Sequence, residues 1–207
     1  MHRNNFVNLA QLIFLRIKLF TKVDRLCLKL KTKHMSILVP LFSALLAAGS
    51  FVRIPLGPVA ITLQTLFLFM LAILLPPKKA LTSVLLYLFL GSIGFPVFTS
   101  GGGLACLLGP TGGFLMGMIP ASAIGSLLGY KNRNSMAWKV SAILIMNAIM
   151  YLFGLSWMMY RLDMSAKSAF IAGCAPFLGA DAVKVIAAAR ITKTLQDDAD
   201  RILEKGI

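Results

Sequence analysis

From residue 36 onward the chain alternates between long apolar stretches and short clusters of Pro, Gly and basic residues. A helix that crosses a bilayer needs ~20 mostly apolar residues. Proline ends such a helix because it lacks an N–H and fixes φ. The pattern predicts six transmembrane helices. The first runs from about Ser36 to Arg53 and stops at the turn Ile54-Pro-Leu-Gly-Pro58; the second runs from about Ile61 to Leu75 and stops at Pro76-Pro-Lys-Lys79. The third, Ala80 to about Gly94, breaks at Gly94-Phe-Pro96, and the fourth opens at Gly109-Pro-Thr-Gly-Gly113 and continues to Gly129. Trp138 to about Trp157 makes the fifth. The last apolar stretch is interrupted at Pro176 and Gly179, which leaves a partial or interfacial helix at Ala166 to Ala175 and a sixth helix from Leu178 to Thr194. The expected organisation is therefore a basic extension at 1–34, a membrane domain at 35–195 and a polar tail at 196–207.

Composition agrees with this reading. With 58% hydrophobic residues, 14% charged residues and a mean hydropathy of +0.82, the chain is more apolar than a soluble core of 207 residues can hide. The expected class is an all-α integral membrane protein. The net charge of +14 does not point to nucleic acid, because no aromatic and basic residues interleave as a nucleic-acid surface requires. Anionic lipid headgroups of the bilayer are the expected counter-ions.

Basic residues also set the orientation, since cytoplasmic loops accumulate Lys and Arg. An inside N-terminus places on one side the eight Lys and Arg of the first 33 residues, Lys78 and Lys79, Lys131, Arg133 and Lys139, and Arg190, Lys193, Arg201 and Lys205. The other side receives Arg53, Arg161 and Lys167. Both termini are then cytoplasmic, and the glycine loop at 101–103 faces outward. Two accounts fit residues 1–34, whose apolar run Leu9 to Phe20 is broken by Arg16 and Lys18: an interfacial basic helix, or a true start at Met35.

Little enzyme chemistry is available. No Asp or Glu occurs between Asp24 and Asp163, the two histidines lie at positions 2 and 34, and the three cysteines are isolated. Paired carboxylates, metal clusters and disulfide frameworks are not supported, and no phosphate-cradling Gly-x-x-x-x-Gly-Lys-Ser/Thr motif is present. The expected cofactor is none.

Three features suggest a small-molecule site instead. Gly101-Gly-Gly103, with Gly109-Pro-Thr-Gly-Gly113 opening a helix, forms a turn with free N–H groups at a helix N-terminus, suited to an anionic or carbonyl oxygen. From Gly109 small residues recur every fourth position to Gly129, a ribbon for close helix packing. Asp181 and Lys184 stand three apart in an apolar stretch, where a charge costs a few kcal/mol. They share a helix face and can act either as a self-compensating ion pair or as a donor and an acceptor for a polar ligand. The break at Pro176 to Gly179 favours the ligand reading, because interrupted helices line substrate sites. Gln64, with Thr62 and Thr65, adds neutral hydrogen-bonding groups. Asn147 is expected to bond between helices.

Four segments in order carry a family resemblance: Ile54-Pro-Leu-Gly-Pro-Val-Ala-Ile-Thr-Leu-Gln64-Thr; Leu85-Leu-Tyr87 through Gly91-Ser-Ile-Gly-Phe-Pro-Val-Phe98; Gly101-Gly-Gly with Leu108-Gly-Pro-Thr-Gly-Gly113; and Pro176-Phe-Leu before Asp181-x-x-Lys184. Over about Met35 to Leu195 the chain resembles BioY, the biotin-binding S component of energy-coupling-factor (ECF) transporters. The resemblance implies an S-component fold in the bacterial cytoplasmic membrane that captures biotin from outside. It also implies biotin contacts at Asp181, Lys184 and the loop Thr99, Gly101, Gly102 and Gly103, with Gln64 matching a further family motif. A transmembrane coupling protein with two cytoplasmic ATPases would supply the energy. It would dock on small residues of the first helix, here Ser43, Ala44, Ala47 and Ala48, although their spacing suits packing within the bundle equally well. Some family members are thought to act without that module.

Two departures stand out. Gly179-Ala180 replaces the family's usual Pro-Gly before the Asp, and Phe114 replaces its usual Tyr. An S component for riboflavin or thiamine should lack this loop and pair, and a membrane enzyme should carry a nucleophile with its base.

Overall fold

The computed structural model describes residues 36–56, 58–130 and 135–204. The basic extension and the Lys131-Asn-Arg133 segment lie outside the described residues. From Val39 onward the chain forms one compact unit; of the other unit, Met1–Leu38, only the start of a helix is described.

The elements in order are helix α1 (Ser36–Phe51), strands β1 (Arg53–Leu56) and β2 (Val59–Thr62), then helices α2 (Gln64–Leu74), α3 (Pro77–Ser92), α4 (Leu104–Leu108), α5 (Gly112–Gly129), α6 (Met136–Leu162) and α7 (Ala166–Gly173). A 3-10 turn (Ala175–Phe177) then leads into α8 (Leu178–Glu204). The fold is mostly helical, but the expectation of an all-α chain needs correction at residues 53–62. These form an antiparallel hairpin in which Arg53 pairs with Thr62, Ile54 with Ile61, Pro55 with Ala60 and Leu56 with Val59. Pro55 and Pro58 bar a helix here, and Val59, Ile61 and Thr62 are β-branched residues that suit extended backbone. A two-stranded ribbon consists of edges only, which is where a strand tolerates proline.

Helix ends shift for similar local reasons. α3 starts at Pro77 rather than Ala80, because proline's fixed φ suits the first turn. α6 runs five residues past Trp157 and stops at Asp163, which takes the left-handed conformation as C-cap. The short α4, unforeseen in the sequence, lies between the glycine loop and α5.

Among the described residues, three segments are long and apolar enough to cross a membrane: α5, α6 and the run Ala166–Asp198. The outward faces of the helices are apolar too. Leu144 and Leu152 on α6, Val183 and Ile186 on α8, and Leu85 and Phe89 on α3 are all exposed. Exposed apolar surface on this scale suits contact with lipid tails rather than water.

The core centres on α2, where Leu68, Phe69, Leu71, Ala72 and Ile73 are fully buried, and α2 packs against α5 and α8. Buried hydroxyls tie the elements together through backbone carbonyls. Ser43 Oγ donates to Ser83 O at 2.7 Å, Ser50 Oγ to Val97 O at 2.7 Å and Ser126 Oγ to Leu75 O at 2.5 Å. The small-residue ribbon packs α5 onto α6. A Cβ on Gly113 would stand 2.2 Å from Trp157, one on Gly125 2.2 Å from the Met146 sulfur, and Gly117 lies against Phe153 and Met150.

Candidate ligand site

A cavity opens where the hairpin, the loop at 98–100 and the N-terminal turns of α2, α5 and α8 converge against the middle of α6. The centres of water-sized spheres can occupy about 110 Å³ of it, several times the ~10–15 Å³ that a single water requires. Most of its wall is apolar, including Phe98, Phe114, Leu115, Met118, Met150 and Phe177.

Its polar groups gather around Asp181. The break at Cys174 to Phe177 lets α8 begin afresh at Leu178, which puts Asp181 in the first turn, where the helix dipole favours a negative charge. Asp181 is 6% exposed and Lys184 7%. Lys184 Nζ lies 3.1 Å from Asp181 Oδ1 and donates across to Thr65 Oγ1 on α2 at 3.0 Å. The second carboxylate oxygen, Oδ2, accepts from Asn147 Nδ2 at 3.2 Å and from the Tyr151 hydroxyl at 2.5 Å. Asn147 and Tyr151 are four apart on α6 and so present one face. Three donors thus occupy a carboxylate that has about four acceptor sites, while Lys184 uses two of its three N–H groups on these partners. A buried ion pair is costly unless its remaining lone pairs and protons are satisfied; here three helices satisfy nearly all of them.

A second polar cluster anchors the other wall. Gln64, at the start of α2, donates from Nε2 to the Tyr87 hydroxyl at 3.1 Å and to Met118 Sδ at 3.2 Å. Neither contact uses its Oε1. The Tyr87 hydroxyl in turn donates a hydrogen bond to Val97 O at 3.1 Å, and its ring meets Phe98 edge-on, with ring centroids 5.4 Å apart.

The glycine loop shapes the wall rather than forming it. Phe98 and Gly101 exchange backbone hydrogen bonds of 2.8 and 3.0 Å across a tight turn, which puts Thr99 and Ser100 on the cavity. Gly101 and Gly103 take positive φ of 118° and 97°, and a Cβ on Gly102 would stand 2.3 Å from Phe95 O. None of the three glycines is on the cavity wall. The Gly-Pro-Thr-Gly-Gly turn has also spent part of its donor capacity: the amide of Gly112 bonds Gly109 O and that of Phe114 bonds Thr111 O.

Of the residues expected at a site from sequence, the structure brings Asp181, Lys184, Gln64 and Thr99 to one cavity, together with Thr62 and Thr65. Ser43, Ala44, Ala47 and Ala48 lie apart from it on α1 and divide between two faces. Ser43 is buried against α3, whereas Ala44 and Ala48 are exposed. Tyr87 and Tyr151 were not singled out from sequence. The Asn147-x-x-x-Tyr151 spacing, two polar side chains on one face of a very apolar helix, was the available signal. At the two departures from the family pattern, α8 is continuous through Gly179 and Ala180, and Phe114 packs edge-on against Tyr151 with centroids 6.4 Å apart.

The BioY family model matches residues 21–201. A probable biotin transporter BioY from Pyrococcus horikoshii is 36% identical over 168 residues, covering 81% of this chain and 98% of the relative. The biotin transporter BioY of Thermotoga maritima is 36% identical over 157 residues, covering 75% and 92%. Among solved structures, the S-component for biotin from an ECF-type ABC transporter superposes with a TM-score of 0.74 at 26% identity, over 81% of this chain and 93% of that one. On these matches, with the helical fold and the cavity around Asp181, the chain belongs to the BioY family.

Proposed function

We propose that this chain is the substrate-capture component of a biotin uptake system, holding biotin in the cavity around Asp181 and Lys184. The observation that carries the reading is the composition of that cavity: a compact polar cluster of Asp181, Lys184, Asn147 and Tyr151 set in a mainly apolar wall. Biotin has the matching chemistry, a ureido ring with two N–H donors and a carbonyl fused to an apolar thiophane. Lys184 has one N–H beyond those given to Asp181 and Thr65, and it donates to a polar oxygen of the ligand. Asp181 has about one acceptor position left for a ureido N–H. Relatives named as biotin transporters and the biotin S-component neighbour support the assignment.

The membrane arrangement follows from the same reading. α1, α2 and α3 are shorter than the three long segments, and the hairpin and adjoining loops complete their passage, giving six spans with both termini on the cytoplasmic side of the inner membrane. The cavity then opens outward. The chain has no nucleotide motif, so release of biotin inward draws on a transmembrane coupling protein with two ATPase subunits. That protein docks on the exposed Ala44 and Ala48 face of α1, where the absence of larger side chains lets another helix approach.

Uptake of labelled biotin by cells lacking their own transporter tests the reading. Expression of this chain with a coupling module should restore uptake that unlabelled biotin competes away and riboflavin does not. Uptake of riboflavin or thiamine instead would reassign the substrate.

A further inference from the structure

Beside the ligand cavity lies a larger, open hollow of about 560 Å³, bordered by the hairpin and by the segment from Ala105 to Thr111. The two adjoin along a shared wall made by Ala60, Thr99, Ser100 and Thr111. The hollow carries one cation, Arg53, the first residue of β1. Its guanidinium is exposed and donates to Thr99 O on that shared wall. A guanidinium has five N–H donors in a fork that fits a carboxylate. No carboxylate pairs with Arg53 among the described residues, and the sequence has none between Asp24 and Asp163.

Charge balance in the cavity gives this arrangement a use. Lys184 is already neutralised by Asp181 3.1 Å away, so an anionic group brought there would meet a negative charge as closely as a positive one. Arg53 has no such competitor. An elongated ligand with a neutral hydrogen-bonding head and a carboxylate tail would therefore lie with its head at Asp181 and its tail toward the hollow.

We propose that Arg53 is a specificity residue that binds the carboxylate tail of the ligand, reaching it across the wall formed by Thr99 and Ser100. The inference rests on the reading of the ligand as biotin, whose valerate supplies the tail. Thr99 would have a positioning role: its carbonyl holds the guanidinium at the boundary between the hollow and the cavity.

The test compares biotin with biotin methyl ester, which keeps the ring system and removes the charge. Dissociation constants are measured by calorimetry for the purified wild-type chain and for Arg53→Gln and Arg53→Lys. The wild type should prefer biotin over the ester by roughly tenfold, the scale of a hydrogen bond to a charged group. Arg53→Gln should abolish that preference while leaving ester affinity unchanged, and Arg53→Lys should restore part of it. The ratio between ligands is the readout, so a smaller folded fraction cannot imitate the result. Equal binding of biotin and ester by the wild type would overturn the role of Arg53 alone. An Arg53→Gln variant weakened equally for both ligands would do the same and reduce the contact with Thr99 to a structural one. Failure of a folded chain to bind either ligand would overturn the biotin reading and this inference with it.

Discussion

The hydroxyl of Tyr151 donates to Asp181 Oδ2 at 2.5 Å, so a residue in the middle of α6 holds the carboxylate that opens α8. Asp181 is thereby fixed from a second helix as well as from Lys184 on its own. Because Tyr151 lines the cavity and contacts Phe114 through its ring, removal of the hydroxyl alone should leave the packing intact. Tyr151→Phe is expected to weaken biotin binding by roughly tenfold, the value of one hydrogen bond to a charged group. Calorimetry on the variant, with its melting temperature as control for folding, checks this.

Substitutions in the Asp181–Lys184 pair should be non-additive. Losing one partner leaves the other charged, buried and uncompensated, at a cost of about 3–5 kcal/mol. Asp181→Asn and Lys184→Met are each expected to lower the melting temperature and to abolish high-affinity binding. The double variant should recover much of the stability and none of the binding. A double variant as unstable as either single one would mean the two charges are not compensating each other.

Close packing of α5 on α6 makes the small-residue ribbon a stability feature. At Gly125 a Cβ would stand 2.2 Å from the Met146 sulfur, on a flexible side chain, whereas at Gly113 it would meet the Phe153 carbonyl oxygen at 2.5 Å. Overpacking typically costs about 1–3 kcal/mol. Gly113→Val should therefore destabilise more than Gly125→Ala, a ranking that thermal unfolding in detergent can read.

The exposed face of α1 should matter only for coupling. Ala44→Leu with Ala48→Leu leaves the ligand cavity untouched, since neither residue lines it. Biotin affinity of the isolated chain should be unchanged, while co-purification with the coupling protein should fall. Ser43 is the contrasting position: its hydroxyl bonds Ser83 O, so Ser43→Leu should lower stability instead.

Much of this architecture was legible in the sequence because a membrane-length apolar run leaves few alternatives to a helix, and because a charged pair in such a run stands out at once. Asp181 and Lys184 were legible for that reason, and Gln64 as a neutral hydrogen-bonding group in a family motif. In the sequence, residues 53–62 look like a helix end, a turn and a helix start, since the two prolines mask the alternation of a short hairpin. Tyr87 and Tyr151 were overlooked because tyrosine is common in apolar helices, and only the three-dimensional placement of α6 against α8 turns the Asn147 and Tyr151 face toward Asp181. The glycine loop was expected to line the site. Its glycines instead form the turn that presents Thr99 and Ser100, a distinction that depends on the signs of φ at Gly101 and Gly103.

Buried lysine chemistry is not confined to the cavity. Lys139, 1% exposed on α6, donates to Gln196 Oε1 on α8 at 2.6 Å. Although counted among the cytoplasmic positive charges from sequence, it also joins the two helices far along α8 from the ligand site. Lys139→Ala should destabilise the fold through lost packing and the loss of this hydrogen bond, with biotin affinity of the folded fraction preserved, as a paired measurement of unfolding and binding would reveal.

Calorimetric titration of the purified chain with biotin, with desthiobiotin and riboflavin for comparison, tests the central claim most directly. The account predicts tight, saturable, one-to-one binding of biotin and no heat from riboflavin. A folded sample that binds no biotin, or that binds riboflavin equally well, would contradict it.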